Sequence, residues 1–358
     1  MQPELPTPET IDAEWLTAQL RRAGHARATV RAFSAQRIGT GQIGKCIRYA
    51  LDVEGDSTAP TSLVGKFPSD DPTSRATGVA LRNYYREVSF YRTLAPKLAI
   101  RTPRCYFAEI VGEGPEFALL LEDVHPAEQG DQLRGCSPDI ARAAVLELVG
   151  LQAPTWRDAS LERFDWLAQP SVGEGGGMMA AYAQFVPGFL DRYGAQLERD
   201  QKEVIARVGE SPRCPLYEPP GELFCLEHVD YRLDNMLIDA RSSPPRVTVV
   251  DWQSVKIGKP LNDVAYFLGA GLVPELRRNV ERDIVRDYHE ALARVGVDDL
   301  DWDRCWEAYR RGAFAGFGVT VIASMIVEQT ARGDEMFVTM ARRHSRHALD
   351  LGADEFLR

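Results

Sequence analysis

The chain has 358 residues, of which 44% are hydrophobic and 26% charged, and its formal net charge at pH 7 is -10. This length allows one large domain or two smaller ones, and the composition is typical of a folded globular protein rather than a disordered one. The acidic balance argues against a nucleic-acid partner, because affinity for the phosphate backbone comes largely from clustered Lys and Arg.

The sequence also bears on the cellular compartment of the protein and on whether it has a metal site. The first residues lack a basic segment followed by an apolar one, and the longest apolar run, 313–327, is interrupted by glycines and polar residues, so we expect neither a secretory signal nor a membrane span. The six cysteines contain no C-x-x-C pair, which indicates reduced thiols in a cytoplasmic protein. His344 and His347 lie among arginines, and we interpret them as one solvated helix face rather than a metal site.

The first third of the chain has the pattern of a helix followed by strands. Apolar residues at helical spacing in 10–24 predict a short opening helix. Alternation over 46–53 predicts a strand, and "TSLVGKF" predicts the next one. A helical stripe covers 79–95 and ends at Pro96. Two further runs, "RCYFAEIV" and "FALLLEDV", are separated by "GEGPE" and predict a hairpin.

The remaining chain is mainly helical, and only "MLID" and "RVTVVDW" predict another pair of strands. We therefore predict an α+β protein with two lobes. The N-terminal lobe, 1–123, would contain an antiparallel sheet with one main helix. The larger lobe, 124–358, would be mainly helical.

The stretch "IGTGQIGKC" fits three nucleotide-binding patterns. Gly39, Gly41 and Gly44 have the G-x-G-x-x-G spacing of dinucleotide-binding turns and kinase glycine loops, and 39–46 nearly forms a P-loop. The dinucleotide-binding turn and the P-loop both require a helix directly after the glycines. In a P-loop, Cys46 would also be a poor magnesium ligand. The predicted strand favours a glycine loop that covers nucleotide phosphates from a hairpin. A glycine-rich hairpin turn without a ligand is the structural alternative.

Several polar residues then occur in the order that phosphoryl transfer requires. Lys66 lies inside a mainly apolar strand and Glu87 in the next helix, and such a pair holds nucleotide phosphates in kinases. In "LEHVDYRLDNMLID", Asp230 can orient an acceptor hydroxyl as a base. Asn235 offers an oxygen ligand for Mg²⁺. Asp251, near the end of the strand pair "MLID" and "RVTVVDW", offers another. Each residue alone has a simpler explanation as a surface charge or turn residue, so the ordered set carries the prediction.

These motifs resemble the aminoglycoside phosphotransferase and choline-kinase-like family of small-molecule kinases. The similarity runs from the glycine loop through "REVSFYRTLAP" and "LLLEDV" to H-x-D-x-R-x-D-N and "GKPLNDVAYFL", and D-W-Q is close to the ecdysteroid-kinase-like branch. The resemblance implies a protein-kinase-like fold with two lobes, and an ATP- and Mg²⁺-dependent phosphotransferase for a hydroxyl group of a small molecule. Protein kinase activity is disfavoured, because Trp252 and Gln253 follow Asp251 in place of D-F-G.

The resemblance also implies roles for individual residues. Asp230 would be the catalytic base, and Asn235 and Asp251 would be magnesium ligands. Residues that would contact the phosphates or support that contact are Gly39, Gly41, Gly44, Lys66 and Glu87. Glu122 and Val124 would meet the adenine through backbone groups, and Asp263 would brace the catalytic loop.

One departure keeps a second function open. The family usually has glycine before the catalytic aspartate, where this chain has Val229. Because valine adopts positive φ only at a cost, we expect the loop backbone to differ there. Val229 is thus the best support for a nucleotide-binding pseudokinase that serves as an interaction module. We expect Arg232 and Asp234 to pair within this loop.

The acceptor is the least specified part of the prediction. The 125–222 stretch is rich in aromatic residues such as Trp166, Tyr182 and Phe189, which at helical spacing are more often core than ligand cage. Their abundance nevertheless favours a neutral or partly apolar alcohol. A polycationic aminoglycoside would need several convergent carboxylates, and the closing "GADEFLR" offers only two.

Overall fold

The computed structural model describes residues 5–39, 43–168 and 177–358, so Gly41 lies outside the described residues. The chain forms two compact units. The first comprises residues up to 97, 102–125 and 251–254, and the second comprises 98–101, 126–250 and 255–358. The first unit therefore extends slightly past residue 123 and includes a short segment from far along the chain.

The first unit contains a five-stranded antiparallel sheet with the strand order β1-β2-β3-β5-β4. Its strands are β1 (Thr29–Ile38), β2 (Gly44–Glu54), β3 (Ser62–Pro68), β4 (Cys105–Ile110) and β5 (Phe117–Glu122). Helix α1 (Ala13–Arg22) begins after Asp12, whose carboxylate accepts the Trp15 N–H at 2.7 Å. Leu16 and Leu20 of α1 are buried against apolar residues of the sheet, such as Leu63. The predicted opening helix and strands are therefore present.

The helix predicted over 79–95 is present over most of that range, but this part of the chain forms two helices instead of one. They are α2 (Pro72–Ala80) and α3 (Asn83–Thr93). Helix α2 begins earlier than predicted, since Asp71 accepts the Ser74 N–H at 2.7 Å and proline suits the first helical position. Arg82 adopts φ +56°, a left-handed conformation that interrupts the helical path between the two.

The second unit has two small antiparallel sheets, with the orders β6-β8-β9 and β10-β7. Its strands are β6 (Glu128–Gln129), β7 (Cys225–Glu227), β8 (Met236–Asp239), β9 (Arg246–Val249) and β10 (Lys256–Gly258). The strand pair predicted from "MLID" and "RVTVVDW" is present as β8 and β9. Strand β9 ends three residues earlier than predicted, because Asp251 adopts φ +67° and cannot continue an extended backbone.

Helices form most of the second unit. They are α4 (Pro138–Gln152), α5 (Gly177–Tyr193), α6 (Arg199–Glu210), α7 (Asn262–Gly271), α8 (Pro274–Arg294), α9 (Trp302–Gly312), α10 (Ala315–Gly318), α11 (Ser324–Ile326) and α12 (Ala331–Asp350). A π-helical turn, Val319–Ala323, joins α10 to α11. Within the described ranges, no helix has both the length and the apolar character needed to cross a bilayer. All six cysteines are free thiols.

The interior of the second unit corrects one prediction and confirms another. His344 and His347 are 1% and 0% exposed, so the solvated helix face predicted for them is wrong. Helix α12 instead turns these histidines into the protein interior. Trp166, Tyr182 and Phe189 are buried, as expected of core residues rather than a ligand cage.

Candidate active site

Lys66 of β3 lies between two carboxylates in the first unit. Its Nζ is 2.8 Å from Oε1 and 2.7 Å from Oε2 of Glu87 on α3, and 2.7 Å from Oδ1 of Asp251. Glu87 is 2% exposed, so its charge depends on this partner. Burial alone would lower the pKa of Lys66, but the carboxylates of Asp251 and Glu87 outweigh burial and raise it. The lysine therefore provides a fixed positive charge, and the predicted Lys–Glu pair is formed.

Helix α3 also holds the segment that contains Asp251. Arg86 donates from Nη1 to the Gln253 carbonyl at 3.1 Å, and Phe90 stacks on Trp252 with ring centroids 4.0 Å apart. Gln253 donates from Nε2 to Oδ2 of Asp251 at 3.0 Å. Sequence reasoning missed these supporting residues, although Arg86 and Phe90 have the i, i+4 spacing of one helix face. The same helix therefore orders Asp251 and provides the carboxylate partner of Lys66.

One glycine of the predicted loop, Gly44, lies next to this lysine. Gly39 adopts φ +73°, and Gly44 is the first residue of β2. A Cβ on Gly44 would lie 3.3 Å from Cε of Lys66 and 3.1 Å from the Phe67 carbonyl oxygen, so glycine leaves room for the lysine side chain. A strand and not a helix follows the glycines, which excludes a dinucleotide-binding turn here.

The segment predicted to contact adenine begins at the end of β5. The Glu122 N–H donates to the Arg104 carbonyl at 2.8 Å, so this group is used within the unit. The buried Asp123 carboxylate accepts from Nε of Arg48 at 2.7 Å and thereby anchors the residues that follow β5. An adenine contact through the Glu122 carbonyl or the Val124 backbone stays a prediction.

In the second unit, the catalytic loop predicted from H-x-D-x-R-x-D-N follows β7. Asp263, at the start of α7, accepts the His228 N–H at 2.7 Å and the Val229 N–H at 2.9 Å, as the resemblance implied. Asp263 is 1% exposed, and burial together with the nearby Glu227 carboxylate raises its pKa to about 7. The loop backbone is thus held by a buried carboxyl group.

Valine does not prevent a positive φ in this loop. Val229 adopts φ +76°, the conformation that a glycine would adopt easily at this position. The hydrogen bond from its N–H to Asp263 helps to hold this strained geometry. The backbone at Val229 thus has the left-handed conformation despite the branched side chain.

The Asp230 carboxylate is held by three donors. Asn235 donates from Nδ2 to Oδ2 at 2.9 Å, and the Tyr266 hydroxyl of α7 donates to Oδ1 at 2.8 Å. Nε of Arg232 lies 2.9 Å from Oδ1 and 3.1 Å from Oδ2. Sequence reasoning identified Asp230 and Asn235 but missed Tyr266, because a tyrosine within an apolar helix indicates only core packing.

Arg232 also pairs with Asp234, as predicted. Its Nη1 lies 2.8 Å from Oδ2 of Asp234, and Arg332 approaches both oxygens of that carboxylate at 3.2 Å. Burial would raise the pKa of Asp234, but the bonds to Arg332 and Arg232 outweigh burial and lower it. Asp234 is thereby committed to two guanidinium groups within the protein.

Two glutamines in and just after β6 brace the same loop. The buried Gln132 accepts the Leu233 N–H at 3.0 Å with its side chain, and its own N–H donates to Asp234 at 3.0 Å. Gln129 donates to the Asp234 carbonyl at 2.7 Å. Sequence reasoning missed both glutamines, since their polar, aperiodic surroundings indicate only a loop.

The chain has the fold of solved small-molecule kinases. Compared with the choline kinase from Cryptosporidium parvum Iowa II, it is 9% identical over 95% of each chain, with a TM-score of 0.54. Compared with the GDP complex of wild-type aminoglycoside 2'-phosphotransferase-IIIa, it is 14% identical over 93% of this chain and 99% of that chain, with a TM-score of 0.51.

A third structure, the GDP and kanamycin complex of APH(2")-IIia, is 12% identical over 86% of this chain and 91% of that chain, with a TM-score of 0.51. More specifically, residues 169–300 match the model of the ecdysteroid kinase-like family. A search of curated protein sequences gave no match. The predicted resemblance to aminoglycoside phosphotransferases, choline kinases and the ecdysteroid-kinase-like branch is confirmed.

Proposed function

We propose that this protein transfers the γ-phosphate of ATP to a hydroxyl group of a small molecule. The observation that carries the proposal is the Lys66 ammonium held at 2.7 to 2.8 Å by Glu87 and Asp251. A lysine fixed in this way offers a positive charge to nucleotide phosphates next to a carboxylate that suits a metal ion. Two of the similar structures are complexes with GDP, which supports a nucleotide as the phosphate donor.

Asn235 and Asp251 would hold Mg²⁺, because their amide and carboxylate oxygens are the ligands that this ion prefers. Asn235 uses its amide nitrogen toward Asp230, which leaves its oxygen as the candidate ligand. Val250, the chain neighbour of Asp251, donates its N–H to the Asn235 carbonyl at 3.0 Å. When bound, the ion would neutralise phosphate charge.

The two proposed ligands, Asn235 and Asp251, suit a Mg²⁺ ion that binds as a complex with the nucleotide. Within residues 5–39, 43–168 and 177–358, no group of three or more His, Cys, Asp or Glu side chains could hold a metal ion. Magnesium commonly takes one or two protein ligands together with substrate phosphates and waters. A site of one carboxylate and one amide therefore fits Mg²⁺–ATP better than a permanently bound ion.

Asp230 would orient the acceptor and take its proton. The acceptor oxygen attacks the γ-phosphorus, the bond from that phosphorus to the β–γ bridging oxygen breaks, and ADP leaves. The hydroxyl proton passes to the Asp230 carboxylate, which three protein donors hold in place. Positioning of this kind is the protein's main contribution to phosphoryl transfer.

For the acceptor, we propose an uncharged or partly apolar alcohol. Three acidic groups that could serve a polycation are already paired with arginines. Asp234 is bound by Arg232 and Arg332, while Asp354 pairs with Arg207 and Glu355 with Arg310. An aminoglycoside would have to displace these arginines, whereas a neutral alcohol would not.

The proposal is tested by an ADP-release screen of purified protein against alcohols, sterols, macrolides and aminoglycosides. Asp230→Asn should slow transfer by about 100- to 10,000-fold and leave ATP affinity nearly unchanged, because only the proton acceptor is lost. Asp239→Asn, a carboxylate at the end of β8, serves as the matched control and should retain wild-type rates.

Different outcomes test the base, the kinase activity and the acceptor class separately. Near-wild-type turnover by Asp230→Asn would remove Asp230 from the role of base. ATP binding without ADP release for any acceptor would instead favour the pseudokinase. Transfer to kanamycin at rates far above those for every sterol or macrolide would contradict the acceptor class while leaving the kinase assignment intact.

A further inference from the structure

We propose that Tyr266 is a positioning residue that fixes the orientation of the Asp230 carboxylate, an inference that rests on the proposed kinase function. Tyr266 lies in α7, is 1% exposed and donates its hydroxyl to Oδ1 of Asp230 at 2.8 Å. A buried tyrosine hydroxyl needs a partner, and here the partner is the proposed base itself.

The position of Tyr266 on α7 links it to the support of the loop backbone. It follows Asp263 by three residues, so both side chains project from the same face of the helix. Asp263 holds the N–H groups of His228 and Val229, while Tyr266 holds the side chain of the next residue, Asp230. One helix face therefore fixes both the backbone and the reactive group of a loop that contains a strained residue.

The hydrogen bond from Tyr266 also determines which carboxylate oxygen of Asp230 remains available to an acceptor hydroxyl. A carboxylate offers about four lone-pair sites. On Asp230, Oδ1 accepts from Tyr266 and from Nε of Arg232 at 2.9 Å, whereas Oδ2 accepts from Asn235 and only more distantly, at 3.1 Å, from the same Nε. The site left for an acceptor hydroxyl is therefore on Oδ2. Without the Tyr266 bond, rotation of the carboxylate could exchange the two oxygens.

The surroundings keep Tyr266 a donor and keep its ring in place. Burial and the nearby Asp230 carboxylate raise its pKa, so the phenol retains its proton. The ring packs against the buried His344, with centroids 5.2 Å apart. Burial, together with the neighbouring His347, lowers the pKa of His344 to about 3, so this neighbour is neutral.

The test is a double-mutant cycle of Tyr266→Phe and Asp230→Asn, which keeps the ring and removes only the hydroxyl and the charge. In the wild-type background, Tyr266→Phe should lower kcat by about 10- to 100-fold and leave the KM for ATP unchanged, because misplacement affects the chemical step. In the Asp230→Asn background the same change should lower kcat by less than about threefold, since residues acting through one another are not additive.

A matched control is Tyr288→Phe, which removes another buried hydroxyl, bonded to the Gln152 side chain in the same unit. It should lower thermal stability without lowering kcat. An equal kcat loss from Tyr266→Phe in both backgrounds, or an equal loss from Tyr288→Phe, would mean that Tyr266 acts only structurally and would overturn the inference.

The cycle also separates this inference from the proposed function. If no acceptor in the screen is phosphorylated, the slow hydrolysis of Mg²⁺–ATP provides the rate for all four proteins. Wild-type protein that neither transfers nor hydrolyses phosphate contradicts the kinase function and this inference together. Wild-type turnover that Tyr266→Phe leaves unchanged overturns the role of Tyr266 alone.

Discussion

Val229 occupies a backbone conformation that L-residues with branched side chains rarely adopt. Its φ of +76° carries strain of about 1–2 kcal/mol, which glycine would avoid. Glycine would also increase the entropy of the unfolded chain, which offsets about 0.5–1 kcal/mol of the gain. The strain is maintained because Asp263 accepts the N–H groups of His228 and Val229, the two that directly precede the Val229 α-carbon.

We therefore expect Val229→Gly to be more stable than Val229→Ala by about 0.5–1 kcal/mol, measured by urea unfolding. Val229→Ala is the control, because alanine keeps the cost of positive φ and loses the contacts of the valine methyl groups, so this variant should be less stable than wild type. A Val229→Gly protein that is less stable than Val229→Ala would contradict the assignment of strain.

A substitution of Asp251 tests the proposal that this residue is a Mg²⁺ ligand. Asp251→Ala removes a carboxylate ligand, so nucleotide binding should lose most of its magnesium dependence in titrations with and without the ion. Asp70→Ala, which removes an exposed carboxylate paired with Lys45 at 2.6 Å, should preserve that dependence. If Asp251→Ala and wild type show the same difference between the two titrations, Asp251 is not a metal ligand.

At the scale of elements, the contact between α10 and α12 requires a residue without a side chain, Gly316. A Cβ on Gly316 would lie 2.1 Å from Cε1 and 2.2 Å from Nε2 of His344, much closer than any real contact. The ring of His344 packs in turn against Tyr266 of α7. Glycine in α10 therefore allows α12 to place an imidazole beside the helix that supports the catalytic loop.

Gly316→Ala should destabilise the protein by about 1–3 kcal/mol through overpacking, measured by thermal or urea unfolding. Gly318→Ala in the same helix is the matched control, because its new Cβ would lie 3.5 Å from Leu216, an ordinary contact. Alanine there should be neutral or stabilising by up to about 1 kcal/mol. Equal effects at the two positions would contradict the packing argument.

At the scale of the whole molecule, Asp263 links the catalytic loop to the pH dependence of folding. Its folded pKa of about 7 lies above the ordinary 3.8, so the folded protein binds this proton more tightly than the unfolded chain does. Folding therefore takes up a proton between about pH 4 and 7. The contribution of Asp263 to stability falls as pH rises through that window, by up to about 1.4 kcal/mol per pH unit, and is constant above it.

The check is a comparison of wild type with Asp263→Asn, whose side chain does not titrate, by urea unfolding from pH 4 to 8. The free energy of unfolding of wild type minus that of the variant should decrease from pH 4 to about 7 and then level off. Stability curves that stay parallel over this range would show that Asp263 does not titrate in it.

The sequence by itself determined features that depend on short-range patterns. Alternation over a few residues was enough to predict β2, and two apolar runs separated by the turn residues "GEGPE" were enough to predict the hairpin of β4 and β5. The spacing of Asp230, Asn235 and Asp251 led to the proposal of a catalytic motif, since its chemistry is specified by residue type and chain order. The resemblance to small-molecule kinases followed from this order.

Only the tertiary structure decided features that depend on residues distant in the chain. The burial of His344 could not be predicted, because the arginines beside it indicate a surface, and the space for its ring comes from Gly316 and Gly269, which are distant in the chain. The positive φ of Val229 depends on Asp263, 34 residues away, and the orientation of Asp230 depends on Tyr266, 36 residues away. Periodicity reports which face of an element is apolar, but side-chain partners arise only when elements pack and buried polar groups must be satisfied.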